Sequence, residues 1–171
     1  MSASNWAGGQ LLSAERMENM LSRMVDFVPT WDTTTGANRP SYGNAVIDCR
    51  FSVSGDLATV HYGIAFGSTT NFGAAPTASD DWIFSLPVEA LDGAVIVQAV
   101  GEFSLGTTAG GARIIARARL HDKNNVKMDI SNGRLDAGAI GAGNRGTADA
   151  ISPFTFNSGS FIRGVIEYET S

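Results

Sequence analysis

From Asn44 to the C-terminus, apolar and polar residues alternate in short runs bounded by glycine, asparagine and proline, the period of strands with one buried face. The alternation is clearest in Arg113-Ile114-Ile115-Ala116-Arg117-Ala118-Arg119-Leu120. There Ile114, Ala116, Ala118 and Leu120 point one way, while Arg113, Arg117 and Arg119 point the other. The pattern predicts strands near 44–53, 57–66, 81–86, 94–105, 112–120, 124–131, 147–156 and 160–169. Ser54-Gly55-Asp56 and Asp122-Lys123-Asn124-Asn125 suit tight hairpins. A run of strands with no helix between them implies antiparallel pairing, so the expected fold is an all-β antiparallel β-sandwich of jelly-roll type.

A different period marks the start of the chain. Met17, Met20, Leu21 and Met24 fall at i, i+3, i+4 and i+7 and share one helical face. Ser13 is the expected N-cap, Glu15 suits the positive end of the helix dipole, and Leu12 with Met17 has the spacing of a hydrophobic staple. A helix of about three turns is marginal alone, so its apolar face must pack on something. That partner is either the chain's own body or a neighbouring protein or symmetry mate. A turn-rich stretch with Pro29, Gly36, Pro40 and Gly43 follows, which divides the chain into an N-terminal attachment segment, 1–43, and a β domain, 44–171.

Charge adds a polarity along the body. Residues 51–112 carry Asp56, Asp80, Asp81, Glu89, Asp92 and Glu102 but no lysine or arginine, whereas 113–134 carry Arg113, Arg117, Arg119, Lys123, Lys127 and Arg134. The arginine face would repel itself unless acids on adjacent strands or adjacent subunits met it, and an ordinary solvated sheet face is the alternative. The net charge of -5 and pI near 4.9 argue against a protein that coats nucleic acid. Charged residues make up only 17% of a chain that is 43% hydrophobic, which suggests surface covered by another subunit.

The residues that could carry chemistry do not converge. Cys49 is the single cysteine, expected as a small buried hydrophobe. His61 and His121 stand in separate strands without the spacing of a zinc site. Asp80 and Asp81 are adjacent, so on a strand they would face opposite ways. Gly141-Ala142-Gly143-Asn144-Arg145-Gly146 matches a dinucleotide fingerprint by letter but precedes a strand-like run rather than a helix. The expectation is therefore a protein that is not an enzyme and takes no cofactor or metal. The start of the chain lacks the pattern of a secretory signal and no run approaches the length of a membrane span, so synthesis in the cytoplasm without membrane association is expected. Among the aromatic residues, Trp82, Phe84, Phe154 and Phe156 are assigned to the core, while Trp31, Tyr42 and Phe72, near turns, are candidate contacts for sugar rings.

The opening Trp6-Ala7-Gly8-Gly9-Gln10-Leu11-Leu12-Ser13-Ala14-Glu15, with Met17 and Asn19, resembles the N-terminal segment of minor tail and fibre proteins of tailed bacteriophages, which usually reads Trp-x-x-Gly, then Leu-Thr-Ala and a short helix. Further along, Pro29-Thr30-Trp31, Phe66-Gly67-Ser68-Thr69-Thr70, Trp82-Ile83-Phe84-Ser85-Leu86-Pro87, Ser152-Pro153-Phe154-Thr155-Phe156 and Gly164-Val165-Ile166-Glu167-Tyr168-Glu169 continue the likeness to virion accessory proteins of actinobacterial and related phages. The resemblance implies a jelly-roll-like homotrimer on the virion exterior, decorating the capsid or associated with the tail. Its N-terminal segment (Trp6, Leu11, Leu12 and the Met17, Met20, Leu21, Met24 face) would grip other virion proteins. A module that recognises a host cell-surface glycan is the alternative. No catalytic residue is implied.

Overall fold

The structure, a computed structural model, describes residues 23–73, 80–91, 99–107, 113–130 and 146–171. Trp6, Leu11, Leu12, Met17, Met20 and Leu21, and with them most of the expected helix, lie outside the described residues. Met24 is described: it is half-buried, non-helical chain leading into the first strand.

The strands are β1 (Val25–Phe27), β2 (Trp31–Thr33), β3 (Val46–Ile47), β4 (Cys49–Ser54), β5 (Leu57–Ala65), β6 (Trp82–Ser85), β7 (Ala99–Gly106), β8 (Arg113–Asp122), β9 (Asn125–Ile130), β10 (Gly146–Thr147) and β11 (Phe161–Glu169). All pair antiparallel in one sheet of order β1-β4-β5-β11-β7-β8-β9-β6-β2, with β3 on β5 and β10 on β9. The chain is thus all-β and antiparallel, as its alternation implies. The division into two facing sheets that a sandwich requires is not shown, because these strands share one hydrogen-bonded path.

That sheet must curl. Its two end strands, β1 and β2, are consecutive in the chain and separated only by Val28-Pro29-Thr30, a link that can span no more than about 14 Å. The link is anchored on both sides. Tyr42 Oη donates to the Pro29 carbonyl at 2.9 Å, Thr30 N donates to Ser85 Oγ at 2.8 Å, and Ser85 N donates to the Thr30 carbonyl at 2.9 Å. Residues 25–33, assigned above to attachment segment and linker, therefore belong to the body.

Curling encloses the alternate residues of every long strand. Ala58, Val60, Tyr62 and Ile64 of β5 are buried, as are Ile162, Ile166 and Tyr168 of β11 and Val126, Met128 and Ile130 of β9. Large and small side chains interleave across the register. Phe103 stands between Gly164 and Ala116, and a Cβ on Gly164 would lie 2.5 Å from the Phe103 ring. Each fully buried large side chain contributes about 1.5–3 kcal/mol.

One expected strand is largely absent. Over 147–156 only Thr147 joins the sheet, in β10, and the chain then turns back on itself. The carboxylate of Asp149 accepts from Ile151 N and Ser152 N, each at 2.7 Å, and offers the backbone a tight turn in place of a ladder.

Candidate functional site

The outward residues of the central strands form rows fixed by register. One row runs Arg50–His61–Val165–Glu102–Arg117–Asp129 across β4, β5, β11, β7, β8 and β9. The next runs Asp48–Gly63–Arg163–Ser104–Ile115: Asp48 N donates to the Gly63 carbonyl at 2.7 Å, and the other pairs are in register. A third runs Val46–Ala65–Phe161–Gly106–Arg113.

These rows leave a channel along β5. Its outward residues Gly63 and Ala65 are small, whereas Val46, Asp48 and Arg50 rise on one side and Arg163 and Val165 on the other, with His61 at one end. The resulting open groove measures about 570 Å³. Its walls mix charge with aliphatic surface, for Val46 is 68% exposed and Val165 43%.

The guanidinium of Arg163 is seated by its neighbours. A Cβ on Gly106 would lie 2.3 Å from Phe161 Cζ, so the Phe161 ring lies across the bare glycine. The Arg163 guanidinium then sits 4.8 Å from the ring centroid, a cation–π contact that fixes the charge at the groove wall. No carboxylate pairs with it among the described residues. Arg50 is engaged with Asp48, at 3.1 Å from Nε to Oδ1 and 3.3 Å from Nη2 to Oδ2. The groove thus presents two guanidinium groups and one imidazole against a single, already paired carboxylate. It can hold an anion by charge-assisted hydrogen bonds.

Beyond the groove two of the three arginines of that face, Arg117 and Arg119, are neutralised within the chain. Arg119 forks onto Asp129, with Nε–Oδ2 at 2.6 Å and Nη2–Oδ1 at 3.0 Å, and Arg117 reaches the same carboxylate at 3.8 Å. Lys127, directly opposite Arg119, is in turn balanced by Asp81 at 3.7 Å. The acid that meets Arg117 and Arg119 is therefore mainly on β9, inside the basic segment, and those two arginines need no second subunit. Arg113 is exposed opposite Gly106 and has no carboxylate partner among the described residues.

Of the aromatic residues put forward as sugar contacts, Trp31 is core, and Tyr42 and Phe72 are partly buried against it. Trp31 is 5% exposed, and its ring centroid lies 4.9 Å from that of Trp82, 5.2 Å from Phe66, 5.3 Å from Tyr42, 5.9 Å from Phe84 and 6.1 Å from Phe72. Curling of the sheet turns this cluster inward, with Tyr42 and Phe72 half-buried at its margin. Trp82, Phe84 and Phe156 lie in the core as expected, and Phe154 packs against it.

The remaining polar groups hold structure. Asp80 is buried and accepts from Thr35 Oγ1 at 2.5 Å and Asn38 Nδ2 at 2.9 Å. Burial raises the carboxyl of Asp149 above its ordinary range. Burial also pushes the Cys49 thiol up, and its sulfur accepts from Gly63 N at 3.4 Å, so it is not a poised nucleophile. Among the described residues no three His, Cys, Asp or Glu side chains group as a metal site, and no helix is long and apolar enough to cross a membrane.

Reading by motif missed the groove. Its signals were Gly63 inside a strand, which marks a notch or close approach, and Arg163 beside Gly164 on the outward period of the last strand. Set against protein-family models, curated proteins and solved structures, the chain matches none.

Proposed function

We propose that this protein is a non-catalytic structural component of a bacteriophage virion, an exterior accessory associated with capsid or tail and held by its N-terminal segment. Its curled sheet serves as a jelly-roll-like body, assembled as a homotrimer against other virion proteins. The observation that supports a binding role is the outer face. There Val46, Ile115 and Val165 stand exposed among arginines, the composition of a surface that meets protein rather than of a reaction centre. The phage assignment comes from the residues at the start of the chain.

Two measurements test it. The mass of the full chain in solution is expected to be that of a trimer. Added to phage particles lacking the protein, the full chain is expected to bind saturably, and the chain without residues 1–22 is not. A monomer that ignores such particles refutes the reading. A role in binding host glycan is the second reading, favoured by the open shape of the groove though not by its ring faces, and predicts co-sedimentation with host cell walls that free sugars compete away.

A further inference from the structure

We propose that the groove along β5 is a docking site for an extended peptide segment of a partner protein in which acidic and aliphatic residues alternate. The assignment concerns the class of ligand and does not rest on the particle reading.

The charge of the groove favours an acidic ligand. The protein carries a net charge of -5, yet the groove carries Arg50, Arg163 and His61 around one carboxylate, Asp48, which Arg50 already neutralises. Arg163 is the decisive group. It is exposed, it is held in place over Phe161, and it lacks a carboxylate partner among the described residues. An acidic side chain entering beside it gains a fork of hydrogen bonds at little ordering cost, because the guanidinium is already seated.

The period of the walls favours an extended chain. Both walls are strands, so their outward side chains repeat about every 6.6–6.8 Å. Val46 and Asp48 face one side of the channel, Arg163 and Val165 the other. An extended peptide lying along β5 has the same repeat and keeps step with the walls. One of its carboxylates meets Arg163, while the aliphatic residues next to it in the peptide point to the opposite wall and cover the exposed Val46. The floor backbone is already paired in the sheet, with β5 hydrogen-bonded to β4 and β3 on one side and β11 on the other, so side chains and not added ladder bonds do the reading.

The rings beside the channel favour peptide over sugar. A saccharide groove offers open ring faces. Here the ring beside the channel, Phe161, has a face covered by the Arg163 guanidinium, and Tyr62 turns its ring into the core, with its hydroxyl donating to the Ser85 carbonyl at 3.0 Å.

The test is a titration of the isotopically labelled full chain, followed by amide resonances. The probes are acetyl-Val-Glu-Val-Glu-Val-amide, its glutamine counterpart, and a trimer of galacturonic acid. The glutamate peptide is expected to shift His61, Gly63, Arg163 and Val165 saturably, with affinity that falls as salt rises. Arg163→Glu is expected to weaken it at least about tenfold, the scale of one charge-assisted contact reversed. Arg163→Gln, which keeps an exposed polar side chain and disturbs the fold least, is expected to weaken it as well. Arg113→Glu, on the same face outside the groove, is expected to leave it unchanged. Equal binding of the glutamine peptide, shifts away from the groove, or tighter binding of the galacturonate trimer at the same residues overturns the proposal.

Discussion

Replacing Trp31 by alanine distinguishes a core ring from a surface platform. A buried tryptophan removes about 150–250 Å² from water, and at about 25 cal/mol per Å² its ring is worth about 4–6 kcal/mol. Trp31 is 5% exposed, so nearly the whole of that surface is withdrawn. Two effects reduce the figure. The unfolded chain already buries part of such a ring, and the indole Nε1 of Trp31 is buried with no hydrogen-bond partner among the described residues, which costs about 1–3 kcal/mol in the native state. The expected loss for Trp31→Ala is therefore about 3–4 kcal/mol, read as a lower urea midpoint at unchanged slope. Trp31→Phe keeps most of the apolar ring and removes the unpaired donor, so it should fall within about 1 kcal/mol of the parent. Repeating both at several protein concentrations separates folding from assembly. If alanine costs less than about 1 kcal/mol, or phenylalanine costs as much as alanine, the enclosed aromatic cluster is wrong.

Three further outcomes follow from the same packing. Asp129→Asn should cost about 1–2 kcal/mol, because the partly buried Arg119 loses its carboxylate fork and again faces Lys127 across the register; a double-mutant cycle with Arg119→Met that shows no coupling refutes this. Asp149 has its native pKa raised by burial, so the native state binds the proton more tightly than the unfolded chain and its contribution to stability is lost as pH rises above the ordinary carboxylate range. Asp149→Asn should therefore gain on the parent between about pH 4 and about pH 7, measured by denaturation at each pH, and a gap that stays constant sinks the assignment. Gly43 has φ +57 and an added Cβ would lie 2.2 Å from the Thr69 carbonyl oxygen, so Gly43→Ala should cost about 2–4 kcal/mol, and a melting temperature within error of the parent counts against the loop packing.

The long strands were legible because burial on one face imposes a period of two over many residues. Expected strands at 57–66 and 160–169 correspond to Leu57–Ala65 and Phe161–Glu169, and 124–131 to Asn125–Ile130. Short strands were not legible. Val25–Phe27 and Trp31–Thr33 are three residues each, too few for a period to register, and Pro29 between them reads as a loop. What makes them strands is tertiary: each completes one end of the curled sheet. Over 147–156 the failure is the reverse, for the apolar run is suited to a strand but Asp149 captures two backbone donors locally.

The groove shows why a surface site escapes a reading by motif. Its walls come from residues 46–50 and 163–165, distant in sequence, and only the pairing of β5 with both brings them together. Its most informative residues are also the ones with least side chain. Gly63 opens the floor and Gly106 lets the Phe161 ring lie flat, so the position of a guanidinium on β11 depends on a glycine on β7. A strand glycine read alone is a weak point in a sheet. Read with its register neighbours, it marks where the sheet gives up packing so that a neighbouring side chain can be held in place.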